Sequence, residues 1–339
     1  MNPDSEPHSP QQIPQKAGFL GTPGKNGESR HANTSQSPLS SRIEESPPLA
    51  GGGFNPCEQQ ISLSDEVFRL LRDMIYEISG IYFSEDSKFI MESRLQQSVK
   101  RKQFNDFRDY YYYLKYDQKR DEELSSLIDI VTIHETYFFR ESQQLQTFSQ
   151  EILPELAQME EKTKRLRIWS AGCSTGEEPY TLSMLMLENP LFQNWAIEIY
   201  ASDISQNVLQ NARRGIYQPG SFRVTDPSFQ KKYFTKESSG FKISDQVKRN
   251  VTFLHLNLND REKWILLPAM NVIFCRNVII YFDLAAKKRV IEGFYGKLKE
   301  GGYLLLGHSE SLMNLSTHYA LRHFKNDLVY QKPFLAKHL

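Results

Sequence analysis

From Ile61 onward the chain sorts into two kinds of hydrophobic pattern. Phe68, Leu71, Ile75 and Ile78 recur at three- and four-residue spacing, the period of a helix face, with Ser62 or Ser64 placed to cap the start and Gly80 to end it. A second helix fits 86–102, a third lies around 104–114 and a fourth spans about 122–132. Little alternates at strand period between them, so 61–132 is predicted to be a small helical domain, followed by a linker over 133–164. Beyond Lys164 the pattern becomes strand, turn, helix. Buried-strand runs stand at LRIWSAG (166–172), IEIYASD (197–203), VTFLHLN (251–257), NVIFC (271–275) and YLLLG (303–307), with helical stretches at about 178–188, 205–213 and 284–298 between several of them. Crossovers of that length bring strands in parallel. The predicted fold class is therefore α/β over 165–335: a doubly wound, mainly parallel sheet. LRHFKNDLVYQK (321–332) adds a terminal antiparallel hairpin around Lys325 to Asp327. The stretch 215–250 is too long for one loop and too polar for another sheet layer, which predicts an inserted β-subdomain, strand-rich near FKISDQV.

Composition changes this picture mainly at the start. Residues 1–60 hold nine of the 16 prolines, seven of the 18 glycines and eight serines, too little apolar material for a core, and read as a disordered tail. A plain spacer is the simple reading and a partner-docking tail the alternative. With 41 Lys+Arg against 41 Asp+Glu, no global field draws the chain to nucleic acid or to an anionic membrane. The tyrosines at 110–113 and Tyr116 read as helix-face packing rather than a platform for bases. Cys57, Cys173 and Cys275 are odd in number and lack CxxC spacing, which suits a reducing compartment and predicts a cytoplasmic protein. The eight histidines are scattered, so no metal site is expected. No apolar run approaches the ~18 residues of a bilayer span, and the N-terminus lacks the apolar core of a secretory signal.

The chemistry concentrates in 168–180, a strand, a tight turn with Gly172 and Gly176, and a helix opening on Glu177 and Glu178. Glycines let a ligand touch backbone, and a helix start aims N–H groups at it. The turn is GxxxGEE. It is not the GxGxxG of dinucleotide sites and lacks the lysine of a P-loop. Two acids there repel a pyrophosphate and welcome an amine. Asp203, ending the next strand, can accept hydrogen bonds from both ribose hydroxyls, although a helix N-cap is its plain alternative. An amino acid joined to a nucleoside meets both demands, and S-adenosylmethionine (SAM) is such a ligand.

VTIHETYFFRE (131–141), AGCSTGEEPYTL (171–182), ASDIS (201–205), ARRGIY (212–217) and IFCRNVIIYF (273–282) lie in one order along the chain. Together they resemble the CheR-type chemotaxis receptor protein-glutamate O-methyltransferases, over about 61–331. The resemblance implies the class I SAM methyltransferase fold, SAM as methyl donor and S-adenosylhomocysteine (SAH) as product, and methyl-ester formation on glutamates of methyl-accepting chemotaxis receptor helices. The site residues it implies are His134, Thr136, Arg140, Glu177, Asp203, Asn257, Leu258, Arg276 and Asn277 for the cofactor, and Arg140 and Tyr281 for methyl transfer. His134 stands where the family often has Asn. Its imidazole keeps both a donor and an acceptor.

A glutamate carboxylate is already ionised at neutral pH, so the reaction needs alignment rather than a base. Between Glu92 and Arg120, eight basic residues face four acids. Arg94, Lys100 and Arg101 are the expected dock for an acidic receptor helix, with a solvated helix face as the plain alternative. Relatives that tether to a receptor's C-terminal peptide carry a longer glycine-bearing loop than the stretch 234–241 here. No such tether is therefore expected, nor nucleic-acid binding, and the chain is expected to be a monomer. The alternatives are a SAM methyltransferase for another carboxylate or protein, and a catalytically silent SAM sensor. A nicotinamide-dependent dehydrogenase is disfavoured by the turn pattern.

Overall fold

A computed structural model describes residues 61–335; the proline- and glycine-rich segment of 1–60, with Cys57, lies outside them. Four helices come first: α1 (Asp65–Ser79), α2 (Lys88–Arg101), α3 (Phe107–Tyr116) and α4 (Arg120–Val131). The Ser64 hydroxyl accepts the Val67 N–H, and Gly80 closes α1 in the left-handed region at φ 76°. Both ends are therefore fixed by the two residues the sequence offers for it. Helix α3 starts three residues later than its hydrophobic pattern suggests. Gln103 takes φ 60° after α2, and Asp106, whose carboxylate accepts the Asp109 N–H, is the residue able to cap. Tyr110 and Tyr111 are buried, whereas Tyr112 and Tyr116 are exposed and stacked, so only half of the tyrosine run is core.

The linker is more ordered than its sequence suggests. Helix α5 (Ser142–Thr147) runs through a π-turn (Phe148–Ile152) into α6 (Leu153–Met159). Phe148, Ile152, Leu153 and Leu156 are buried there against the sheet.

The sheet domain follows as β1 (Arg165–Ala171), α7 (Glu177–Glu188), β2 (Ala196–Asp203) and α8 (Gln206–Arg214). The insertion holds β3 (Ile216–Tyr217), α9 (Pro227–Tyr233), β4 (Phe234–Glu237), β5 (Gly240–Ile243) and α10 (Asp245–Lys248). Then come β6 (Val251–His255), β7 (Met270–Cys275), α11 (Leu284–Lys297), β8 (Leu298–Leu306), β9 (Ala320–His323) and β10 (Leu328–Gln331). The main sheet has the order β6-β2-β1-β7-β8-β10-β9, parallel from β6 to β8, with β9 and β10 added antiparallel. The insertion forms its own antiparallel sheet, β3-β5-β4. From β1 the chain winds outward through β2 to β6, then returns to lay β7 and β8 on the other side. The direction reverses beside β1, above whose carboxyl end ligands of such sheets bind.

Alternate residues of the central strands face opposite layers. Trp169, Ile273 and Leu304 share a core with α11 and the helical domain, while Ile168, Val272 and Tyr303 pack on α5, α6 and α7. Three polar contacts tie the helical domain to the sheet domain. Tyr76 Oη donates to Asp283 at 3.1 Å, Asn257 Nδ2 donates to the Ile78 carbonyl at 2.5 Å, and the Tyr82 N–H donates to the Tyr281 carbonyl at 2.9 Å beside an isolated bridge from Ile81 to Phe282. No described helix is long and apolar enough to cross a membrane.

Candidate active site

A cavity of about 1100 Å³, counting its open mouth, lies over the ends of β1, β2 and β7. One wall is strand ends. After β1 the chain turns through Gly172, at φ 81°, and Gly176, at φ 94°, conformations that L side chains avoid. A Cβ on Gly172 would stand 2.4 Å from Val278 Cγ2. Asp203, at the end of β2, accepts the Ser174 N–H at 2.8 Å on one oxygen and the Ser205 N–H at 3.0 Å on the other. It thereby locks the glycine turn to β2. Ser205, not Asp203, caps α8. Each Asp203 oxygen keeps a second lone pair. Burial pushes its carboxyl above the ordinary range, against the pull of those backbone donors.

The two acids of the turn part company. Glu177, 2% exposed, accepts from Thr175 at 2.6 Å and Ser221 at 3.1 Å and does not line the cavity. Glu178 does line it, taking Ser170 Oγ at 2.7 Å and Arg276 Nη1 at 3.3 Å, with burial raising its carboxyl despite the arginine. Consecutive helical residues point about 100° apart, so one of the pair must face inward. Of the two acids of the turn, Glu178 and not the expected Glu177 lies on the cavity.

The other wall comes from the segment joining α4 to α5. His134, Thr136 and Arg140 all line the cavity. His134 Nε2 shares a hydrogen bond with Thr132 Oγ1 at 2.7 Å, and Arg140 Nη1 donates to the Glu135 carbonyl at 2.7 Å. Arg276 bolts this segment to β7. Its side chain, 3% exposed, donates to the Arg140 carbonyl at 2.6 Å and pairs with Glu141 at 3.1 Å as well as Glu178. From outside, Arg223 pairs with Glu135 at 2.8 Å and lies 3.7 Å from the centre of the Tyr137 ring, while Phe138 is buried among Tyr217, Phe222 and Phe234. The β-subdomain thus backs this wall.

Asn257, Leu258, Asn277 and Tyr281 complete the lining. The Asn257 amide is spent on Ile78 and on the Asn259 N–H, and its carbonyl accepts the Asp260 N–H at 3.1 Å, so the contact this stretch can offer a ligand is the backbone of Leu258 and the Asn257 N–H. Asn277 takes φ 59°, and its Oδ1 is buried without a partner, an atom that a ligand donor can satisfy. The half-buried Tyr281 hydroxyl has no hydrogen-bond partner among the described residues; burial raises its pKa, while Arg140 and Arg94 pull the other way. Of the basic residues expected to dock a substrate, Arg94 donates to the Val131 carbonyl at 2.7 Å, beside the cavity rim, and Arg101 is paired with the buried Glu123 at 3.0 Å. Lys100 is half-buried on the same helix. The sequence singles out Glu178 only as one of the two acids of the turn, and gives no sign of Glu310, whose carboxylate accepts backbone N–H groups from the loop after β7.

Among families, the model described as CheR methyltransferase, SAM binding domain, matches residues 134–327, and that of its all-alpha domain matches 66–132. Chemotaxis protein methyltransferase 2 of Vibrio cholerae is 38% identical over 280 residues, 82% of this chain and 96% of the relative. The chemotaxis protein methyltransferase of Borreliella burgdorferi is 39% identical over 254 residues, covering 73% and 88%. A probable chemotaxis protein methyltransferase of Rhizobium etli is 35% identical over 253 residues, covering 72% and 92%. With both family models matched in order and relatives of 35–39% identity covering most of the chain, the chain belongs to the CheR methyltransferase family and carries its SAM-binding domain.

Proposed function

We propose that this chain moves the methyl group of SAM onto glutamate side chains of chemotaxis receptors, forming methyl esters. The observation that carries the reading is one cavity lined by two carboxylates, the buried Asp203 and the largely buried Glu178, together with Arg140, the unpartnered Asn277 Oδ1 and the free hydroxyl of Tyr281. SAM supplies, when bound, a methyl group activated by a sulfonium. Asp203 has lone pairs left for ribose hydroxyls, Glu178 an acceptor for the α-amino group, and the backbone of 257–258 a place for the base. His134 and Thr136 close the cavity from the linker side, and Asn277 takes the remaining donor. Arg276 is spent on Glu141, Glu178 and the Arg140 carbonyl, so its part is to hold the wall.

Arg140 and Tyr281 orient the attacking carboxylate. A glutamate with its ordinary pKa of about 4.3 is already charged at neutral pH, so these residues need neither take nor give a proton. A partly dry cavity favours a reaction in which opposite charges cancel. Arg94 at the rim is placed to meet an acidic receptor helix. The β4–β5 connection is only two residues, Ser238 and Ser239, which supports direct recognition of the methylated helix without a peptide tether. On this reading the chain is a cytoplasmic monomer.

The test is label transfer from methyl-labelled SAM into isolated receptor signalling domains. Volatile methanol released by mild alkali is the expected result. Label that stays on the protein through alkali identifies an N-methyl product and overturns the reading.

A further inference from the structure

The loop that follows β7 carries Arg276, Asn277 and Tyr281, yet it is not part of the sheet and Asn277 sits in the left-handed region. Something must hold it. One carboxylate accepts three of its N–H groups: Glu310 Oε2 takes Asn277 N at 2.8 Å, while Oε1 takes Val278 N at 2.9 Å and Ile280 N at 3.2 Å; Oε2 also takes Gly307 N, from the end of β8, at 2.8 Å. Glu310 stands on the turn that follows β8, closed by its own N–H on the Gly307 carbonyl at 2.9 Å. Among the described residues it pairs with no lysine or arginine, so peptide N–H groups supply its hydrogen-bonding partners. A charged acceptor makes the stronger hydrogen bonds, and the three from Asn277, Val278 and Ile280 fix the loop's path.

We infer that Glu310 is a positioning residue for methyl transfer, setting Asn277 and Tyr281 by clamping the loop between them to the end of β8. This deepens the reading of the cavity as the SAM site and rests on it. Gly307 shares the design. A Cβ there would lie 2.9 Å from both Asn277 N and Asn277 Nδ2 and 3.0 Å from Glu310 Oε2, directly between clamp and loop. Glu310→Gln keeps the shape but turns an NH₂ toward two N–H donors. Gly307→Ala pushes a methyl group into the same gap.

The experiment measures SAH affinity by calorimetry, per binding-competent site, together with steady-state methyl transfer, for the full chain and both variants. Glu310→Gln should weaken SAH about 10-fold and lower kcat about 10-fold, with KM for the receptor domain within about 2-fold, an effect the size of a lost charged hydrogen bond. Placed on Tyr281→Phe, it should lower kcat by less than about 3-fold more, because the two act through one loop. Gly307→Ala should reproduce the losses and carries the test if Glu310→Gln does not fold. Unchanged SAH affinity and kcat in a folded variant, or fully multiplicative losses with Tyr281→Phe, would overturn the assignment. Loss of folding in both variants would also overturn it, since the contact would then hold the fold rather than the site. A wild-type chain that takes up no SAH sinks the SAM reading instead, which keeps the two failures apart.

Discussion

The two walls of the cavity are built on different terms. At the strand ends, Gly172 and Asp203 are placed by the parallel register of β1 and β2 and by backbone N–H groups, so their positions follow from the sheet itself. The opposite wall, 134–140 and the loop after β7, has no ladder. It is held by side chains: Arg276 on Glu141 and the Arg140 carbonyl, Arg223 on Glu135, and Glu310 on the loop's N–H groups. The lesson is a division of labour. On the proposed reading the sheet-fixed wall grips the donor, while the wall hung on side chains orients the acceptor at Tyr281 and adds the Asn277 contact to the donor.

The sharpest way to break this contrast is Gly172→Ala. The left-handed φ and the 2.4 Å approach to Val278 should together cost about 3 kcal/mol of stability and weaken SAH at least ~10-fold, read by urea unfolding and calorimetry. A folded variant with normal SAH affinity would show that the glycine turn does not grip the donor. Next in size, Tyr281→Phe should lower kcat about 10-fold and leave SAH affinity within about 2-fold, and equal losses of both would erase the division.

Acid should act on the gripping wall. Burial raises the carboxyls of Glu178 and Asp203, so the free enzyme takes up protons at a higher pH than exposed acids do. A donor carrying a cationic amine and ribose hydroxyls needs them ionised, so its affinity should fall as pH drops through mildly acidic values, with protons released on binding. SAH affinity that stays flat down to the ordinary carboxylate range would remove those groups from the site. The smallest effect is expected for Arg223→Ala. An exposed ion pair and a cation–π contact are each worth about 1 kcal/mol or less, so kcat should fall less than ~5-fold and stability should move by no more than about 1 kcal/mol.

Much of the sheet-fixed side was legible in the sequence because local rules decide it. The glycine turn announces itself by spacing and by residues that only a positive φ explains, and in the helical domain Ser64 and Gly80 bound α1 by the same kind of local rule. The hung wall was legible in its motif letters but not in its mechanics. Helices α5 and α6 are hidden by Pro154, which ordinarily ends a helix; the π-turn at Phe148–Ile152 lets the chain restart with that proline in its first turn. Glu177 and Glu178 are indistinguishable as letters, and only the rotation of α7 decides which one faces the cavity. Glu310 carried no motif signal, because four backbone donors converging on one carboxylate arise from two loops 30 residues apart.

The two family models meet around Ile133, and Ile133 itself lines the cavity. The seam between modules therefore runs along the cavity, and the bonds from Tyr76, Ile78 and Tyr82 to Asp283, Asn257 and Tyr281 stitch it shut. Recombining these enzymes by swapping their leading helices is not an exchange of adaptors on a common engine. A hybrid inherits the helical edge of the cavity (Ser79, Ile81, Val131 and Thr132) from one parent and the rest from the other, so it is expected to work only where both sides of that stitching are compatible.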